Sequence, residues 1–253
     1  MPSNENTKQI KSRQRVADHG EVFTNPREVN AMLDLVRDES FRLDSRFLEP
    51  ACGDGNFLIE ILRRKLSLLK DIKSQTEWEF KSLIAVGSCY GIDILPDNAE
   101  ACRTRLEEYV LSRHPASERL NARCAGNTTQ AKRSVVEIQV KRSMVMDDSE
   151  CDRHLEEMRQ EPYLLSLRYM LQKNIVCGDA LTYRTAENKP ITFCEWTPIA
   201  GSIQFSRRDF QFDFLVTQSH QYSLFDEQGE PQNFDEPVRT YPPLHYTQLY
   251  KYE

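Results

Sequence analysis

The stretch Leu48-Glu49-Pro50-Ala51-Cys52-Gly53-Asp54-Gly55-Asn56-Phe57-Leu58 constrains this chain most. Arg46, Phe47 and Leu48 read as the end of a short buried strand, which Pro50 stops. Gly53 and Gly55 permit a tight turn and let a ligand approach the backbone closely. Phe57 to Leu69 then reads as a helix, with Phe57, Leu58, Ile61, Leu62 and Leu66 at helical spacing. Strand, glycine turn and helix in that order aim free backbone N–H groups at a ligand from a helix N-terminus. A dinucleotide fits this turn poorly. Its fingerprint needs a third glycine for close helix–strand packing, and Leu58 stands there. The bland alternative is an ordinary glycine-containing strand-to-helix turn.

Further strands and helices follow. Asn25 or Thr24 before Pro26 marks a helix start, after which Val29, Met32, Leu33 and Val36 fall on one face. Trp78 to Ile84 reads as a helix, and Cys89-Tyr90-Gly91-Ile92-Asp93-Ile94 as a second buried strand ending in an acid. An acid at that strand tip is placed to accept the hydroxyls of a ribose, or to cap the helix that opens at Pro96. Pro96 to Leu111 is expected to be helical with Ala99, Cys102, Leu106 and Val110 inward, and Cys151 to Leu171 helical again. Asn174 to Leu181 reads as a third strand ending in Gly178-Asp179-Ala180. Pro190 to Ile199 with Ser202 to Phe205 reads as a hairpin or an edge insertion, and Phe210 to Thr217 as the fourth strand.

Composition narrows the partners. The 253 residues allow one large domain or a domain with an appendage, and 39% are hydrophobic. The net charge of −6 is not that of a free-standing nucleic-acid binder. Basic stretches at Lys8–Arg15, Lys132–Arg142 and Arg207-Arg208 read as solvated faces or, failing that, as phosphate contacts. Seven scattered cysteines without a Cys-x-x-Cys pair favour reduced thiols over disulfides or zinc, so no metal is expected. Cys52 reads as a small packing residue. No apolar run is long enough to span a bilayer and the N-terminus lacks a signal-peptide core, so a cytoplasmic protein without membrane contact is expected.

The Glu-Pro-Ala-Cys-Gly-Asp-Gly-Asn-Phe run resembles the first motif of the S-adenosylmethionine (SAM)-dependent methyltransferases. More narrowly, it is similar to that of bacterial DNA adenine methyltransferases and the modification subunits of restriction systems. Gly20-x-Val22-Phe23-Thr24-x-Pro26 resembles their tenth motif, Gly91-Ile92-Asp93-Ile94 their second and Cys177-Gly178-Asp179-Ala180 their third, in the order of the branch that begins with the tenth. The resemblance covers residues 16 to 222. It implies a Rossmann-like α/β fold, a mostly parallel sheet with helices on both faces, left incomplete at its C-terminal strands by the short segment after Tyr222. It also implies SAM as cofactor. Phe23, Thr24, Glu49, Ala51, Cys52, Gly53 and Gly55 would then lie at the methionine end and turn, with Asp93 on the ribose and Ile94 packing on adenine. Asp179, with Ala180 beside it, would accept from the adenine amino group.

One family element is missing. In these enzymes the fourth strand runs into Asn/Asp-Pro-Pro-aromatic, whose side-chain oxygen and backbone carbonyl draw on the weakly nucleophilic adenine amine while the ring stacks on the flipped base. That sequence occurs nowhere here; Gln218 and Tyr222 stand in its place as the catalytic candidates. The resulting expectation is a DNA adenine methyltransferase-like protein of a restriction-modification or phage-defence system. The alternative is a catalytically inactive SAM-binding or structural subunit of a larger DNA-modifying complex. A methyltransferase for a small molecule or protein is a third reading, since fold alone does not select a substrate. Residues 1–20 are expected as an N-terminal arm, 21–222 as the SAM domain with an insertion near 113–150, and 223–253 as an extended Pro/Tyr-rich tail laid over the surface. DNA would be reached through a partner specificity subunit, and the insertion or the tail would dock a protein partner.

Overall fold

The computed structural model describes residues 14–15, 24–115, 161–213 and 237–252. Asn25 caps the first helix, α1 (Pro26–Leu35), its side chain accepting from the Arg27 N–H with Pro26 in the first turn. Val29 and Leu33 are buried, whereas Met32 and Val36, read as part of the same inward face, are about half exposed. A short helix, α2 (Arg37–Ser40), leads to β1 (Phe47–Glu49). The glycine turn follows and opens α3 (Asn56–Ser67). Next come α4 (Gln75–Gly87), β2 (Cys89–Asp93) and α5 (Pro96–Arg113), with Ala99, Cys102, Leu106 and Val110 buried as their spacing requires. After residue 160 the described chain resumes with α6 (Pro162–Asn174) and β3 (Ile175–Cys177).

β1, β2 and β3 pair in that order, all parallel, with Leu48 opposite Tyr90 and Asp93 opposite Cys177. Every residue of β2 is buried, as expected of the middle strand of a covered parallel sheet. Fully buried Lys65 of α3 donates to the Leu43 and Ser45 carbonyls and to the Ser88 hydroxyl, with the Phe47 ring beneath its ammonium. That ring of acceptors pins the segment before β1 to the residue before β2.

The rest of the sheet departs from expectation. The next strands form a separate antiparallel sheet, β4 (Thr192–Pro198), β5 (Gln204–Gln211) and β6 (Arg239–His245), so the molecule is α/β with two small sheets rather than one mostly parallel sheet. The hairpin is real, but its second strand runs on to Gln211 and takes Phe210 and Gln211 from the expected fourth strand. The rest of that stretch, from Phe214, lies outside the described residues. Apolar alternation ends at Phe205 because the next inward positions are Arg207 and Asp209. Both are buried, joined by two 2.7 Å hydrogen bonds, with Tyr169, Trp196, Tyr241 and Tyr252 around the guanidinium. Arg207 is thus buried inside the second sheet, while Arg208, partly exposed, is tied to Glu195.

The expected surface tail is also built in. β6 is the edge of its sheet, where the missing N–H groups of Pro242 and Pro243 are tolerated. A 3-10 turn (Tyr246–Lys251) then buries Tyr246 and Leu249, and Tyr252 donates its hydroxyl to the Phe205 and Pro242 carbonyls.

On one side of β2, Leu58 of α3 presses on Gly91; on the other, Tyr90 and Ile92 meet Ile191, Phe193 and Phe212. Tyr90 donates to the Cys194 carbonyl, and Asn174 donates to the Gly87 and Cys89 carbonyls while accepting from Trp196 Nε1. Among the described residues no helix is long and apolar enough to cross a membrane.

Asn174→Ala is expected to cost about 2–4 kcal/mol in denaturant unfolding, because it strands two carbonyls and the buried indole N–H. Less than about 0.5 kcal/mol would mean that this side chain does not couple the sheets. Acid sensitivity has a second source. Burial pushes the Glu79 carboxyl up, but hydrogen bonds from His114, Gln75 and Tyr246 outweigh that and hold it below its ordinary 4.5. The folded state therefore binds this proton more weakly than the unfolded chain, so the stabilisation is present above pH 4.5 and fades as pH falls through the lower native value. Glu79→Gln is expected to flatten the acid limb of a stability-against-pH curve; an unchanged slope would refute the assignment.

Candidate functional site

The candidate site lies at the carboxyl ends of the parallel strands. β1 ends at Glu49, whose carboxylate accepts from the Ala51 N–H at 3.4 Å; burial raises its proton affinity above the ordinary range. Ala51 is exposed and Cys52 buried, the latter donating its N–H to the Ile92 carbonyl at 2.8 Å. The neighbouring Cys102 thiol and burial push the Cys52 thiol far up, which makes it a packing group and not a nucleophile.

Gly53 (φ 54°) and Gly55 (φ 91°) carry the chain through the left-handed region, with Gly55 as the N-cap of α3. A Cβ on Gly55 would stand 2.8 Å from Cys102 Sγ, so the position excludes a side chain on two counts. Arg105 of α5 braces this corner, donating to the Asp54 carbonyl (2.7 Å) and Asn56 Oδ1 (3.1 Å) and pairing with the Asp54 carboxylate.

Asp93 joins the turn to the sheet. Its Oδ2 accepts from the Gly53 N–H at 2.9 Å, and its Oδ1 from the Leu95 N–H at 2.9 Å and Asn98 Nδ2 at 3.2 Å. The Asp93 carbonyl accepts the Gly178 N–H at 2.9 Å. The one acid thus clasps the glycine turn, caps the start of α5 and touches the tip of β3. Arg15 adds a bidentate bond to Asp97 and a contact to Asn98 Oδ1 from the N-terminal arm.

Asp179 lies two residues beyond β3, at the same end of the sheet as Asp93. Its Oδ1 accepts from the Leu181 N–H at 2.8 Å, and its backbone pairs with Arg184. The loop is tightly wound, with Tyr183 and Asn188 both at φ 60°, a costly conformation for an aromatic residue. This loop and the strand tips enclose an open cavity of about 550 Å³ lined by Ile94, Cys177, Asp179, Thr182, Arg184 and Asn188, among others. Ile94 is 58% exposed at its mouth, an apolar side chain at a strand tip with little covering it.

Of the sequence-derived candidates, Ile94 and Asp179 line this cavity; Asp93 stands at the same end of the sheet without lining it, its carboxylate turned to the Gly53 and Leu95 N–H groups and the Asn98 amide. The Thr24 carbonyl accepts from Asn56 Nδ2 at 3.4 Å, which puts Thr24 beside the glycine turn. Ala180 packs toward the Tyr90–Phe193 cluster instead of lining the cavity. Phe23, Gln218 and Tyr222 lie outside the described residues, as does most of the 113–150 insertion. Sequence reading missed Arg105, Asn98 and the Thr182–Asn188 wall; the Asn98 side chain was foreshadowed only by its place at a helix start.

Chemically the site offers carboxylate acceptors, an apolar shelf and a tightly turned backbone, suited to a polar heterocycle with N–H and O–H donors. Among the described residues no group of three or more His, Cys, Asp or Glu could hold a metal. Gly55→Ala is expected to lower stability by about 2–4 kcal/mol from strain and overpacking. Adding Cys102→Ala should return about 1 kcal/mol or more, read as a non-additive double-mutant cycle; strict additivity would contradict the contact. No family model, curated protein or solved structure matches this chain.

Proposed function

We propose that this cleft binds SAM and that the chain is a Rossmann-like SAM-binding protein of the DNA adenine methyltransferase type. The observation that carries the reading is that Asp93, Ile94 and Asp179 all lie at the carboxyl end of the parallel strands, with Ile94 and Asp179 lining a cavity of about 550 Å³ there. A cavity of that size suits a cofactor-sized ligand. The strand order β1-β2-β3 with helical crossovers agrees with one half of such a sheet.

The residues fit the cofactor's chemistry. Asp93 Oδ2 accepts one internal bond, which leaves it capacity for a ribose hydroxyl. Asp179 has one oxygen engaged by Leu181, leaving the other for an adenine amino group. The Ile94 side chain offers the apolar face a purine ring would cover. SAM would supply an electrophilic methyl on its sulfonium; Thr24 and the glycine turn would hold its methionine end.

Methyl transfer to adenine is the activity the resemblance suggests, with Gln218 and Tyr222 as acceptor and stacking group. A weak amine nucleophile gains from acceptors held at near-contact distance, and this sequence lacks the two prolines that follow the fourth strand in the family. That favours, as the second reading, a subunit that binds SAM without transferring it, acting with a partner that reads DNA.

Titration calorimetry with SAM on the full chain tests the proposal. Saturable binding is expected, weakened at least about tenfold by Asp179→Ala, which removes a charged hydrogen-bond acceptor. Absence of heat at millimolar SAM, or unchanged affinity in Asp179→Ala and Asp93→Ala alike, would refute it. Labelled methyl transfer to duplex DNA, with and without candidate partners, separates the two readings.

A further inference from the structure

A second cavity, of about 510 Å³, opens where α3 and α5 end and α4 begins. Arg63 to Ser67 lie roughly 12–18 Å along α3 from Gly55 at 1.5 Å per residue, so this cavity stands at the far end of the sheet from the Asp93 cleft. Its floor is apolar and buried, made of Leu66, Leu69 and Trp78, with Ile72 and Tyr109 half-buried beside them. Its rim is cationic: Arg63, Lys70, Lys73 and Arg113 line it, all exposed, and among the described residues no acid does.

Those charges are poorly compensated. Arg63 pairs with Glu60 at 3.0 Å. Among the described residues, Lys70, Lys73 and Arg113 have no carboxylate within ion-pair distance. The guanidiniums of Arg63 and Arg113 both lie against the Tyr109 ring, 5.5 Å and 5.3 Å from its centre. In a chain of net charge −6, cations gathered on one ring without an acid in the lining form a local positive field. The ordinary explanation is that cations sit at helix C-termini to meet the dipole. It accounts for Arg63 and Arg113 but not for Lys70 and Lys73 in the loop, nor for an open apolar floor between them.

We infer that this cavity is a binding site for a nucleoside phosphate, the flat ring lying on the Leu66–Ile72–Tyr109 floor and the phosphate among the four rim cations. A ligand with both parts uses both features; inorganic phosphate leaves the floor uncovered and a nucleoside leaves the cations unmatched. The volume lies within the ~300–1,000 Å³ of small-ligand sites. The inference does not depend on SAM binding elsewhere.

Titration calorimetry of the full chain with adenosine 5′-monophosphate, adenosine, inorganic phosphate and a 5′-phosphorylated oligonucleotide tests it. Saturable binding of the monophosphate is expected, at least about tenfold tighter than adenosine or phosphate, weakening as salt rises. The double variant Lys73→Glu/Arg113→Glu changes only exposed side chains and should weaken it at least about tenfold by reversing two charges at the phosphate; circular dichroism checks its fold. Asp179→Ala should leave this affinity unchanged. If the oligonucleotide competes only when 5′-phosphorylated, the source is a strand end, and if it does not compete, a free nucleotide; either supports the site. No saturable heat at millimolar monophosphate, full affinity in the double variant, or loss of binding in Asp179→Ala would overturn it.

Discussion

The Asp93 carboxylate is the constraint on which the rest of the cleft depends. It sits at the tip of the fully buried middle strand and is itself 8% exposed. A carboxyl group so placed must have its oxygens satisfied by hydrogen bonds. Three donors meet it: the Gly53 N–H, the Leu95 N–H and the Asn98 amide. Each belongs to a different feature, namely the glycine turn, the step into α5 and the α5 start. The same residue therefore sets the position of the turn, the origin of the helix and, through its carbonyl, the tip of β3. The left-handed glycines let Gly53 turn its N–H toward the acid, and Arg105 keeps the corner from opening.

A different economy holds the antiparallel sheet to the parallel one. Asn174 spans the gap with three hydrogen bonds, and Tyr90 crosses it with its hydroxyl. Deeper in the second sheet, Arg207 is enclosed by aromatic rings with Asp209 on two of its nitrogens. A buried ion pair of this kind contributes little net energy, yet removing either partner alone leaves an uncompensated charge. It fixes the pairing of β5 and β6, because Tyr241 of β6 supplies both a ring under the guanidinium and a hydroxyl to Asp209.

Much of the first half was legible in the chain because local rules and tertiary needs agreed there. Pro50 and the two glycines announced the turn, the 3.6-residue spacing of Leu58, Ile61, Leu62 and Leu66 announced α3, and the apolar run to Asp93 announced a buried strand. The strand tips followed from that order, with Asp93 ending β2 and Asp179 two residues beyond β3. The second half read less well for a physical reason. Arg207, Asp209 and Glu195 look like surface, and only the fold reveals that rings and partner charges enclose them. The Pro-Pro pair of β6 argued against a strand, which an edge position permits. Met32 and Val36 show the converse: helical spacing identified a face, but the core reached only Val29 and Leu33. The cavity wall at Thr182–Asn188 has no periodic signature, since its shape comes from turns with left-handed Tyr183 and Asn188.

At the strand ends stand two carboxylates and an exposed isoleucine, groups that would suit the hydroxyl, amino and flat apolar parts of the proposed ligand, while the Cys102 thiol and burial hold the Cys52 thiol protonated. The most direct measurement of the central claim is a crystal structure of the chain with S-adenosylhomocysteine, the demethylated form of the proposed ligand. The account requires the adenine to lie on Ile94 with its amino group at Asp179 and the ribose at Asp93, while the Gly53–Asp93 bond persists. A ligand bound elsewhere, or an Asp93–Asp179 cleft filled by the chain's own side chains, would contradict it.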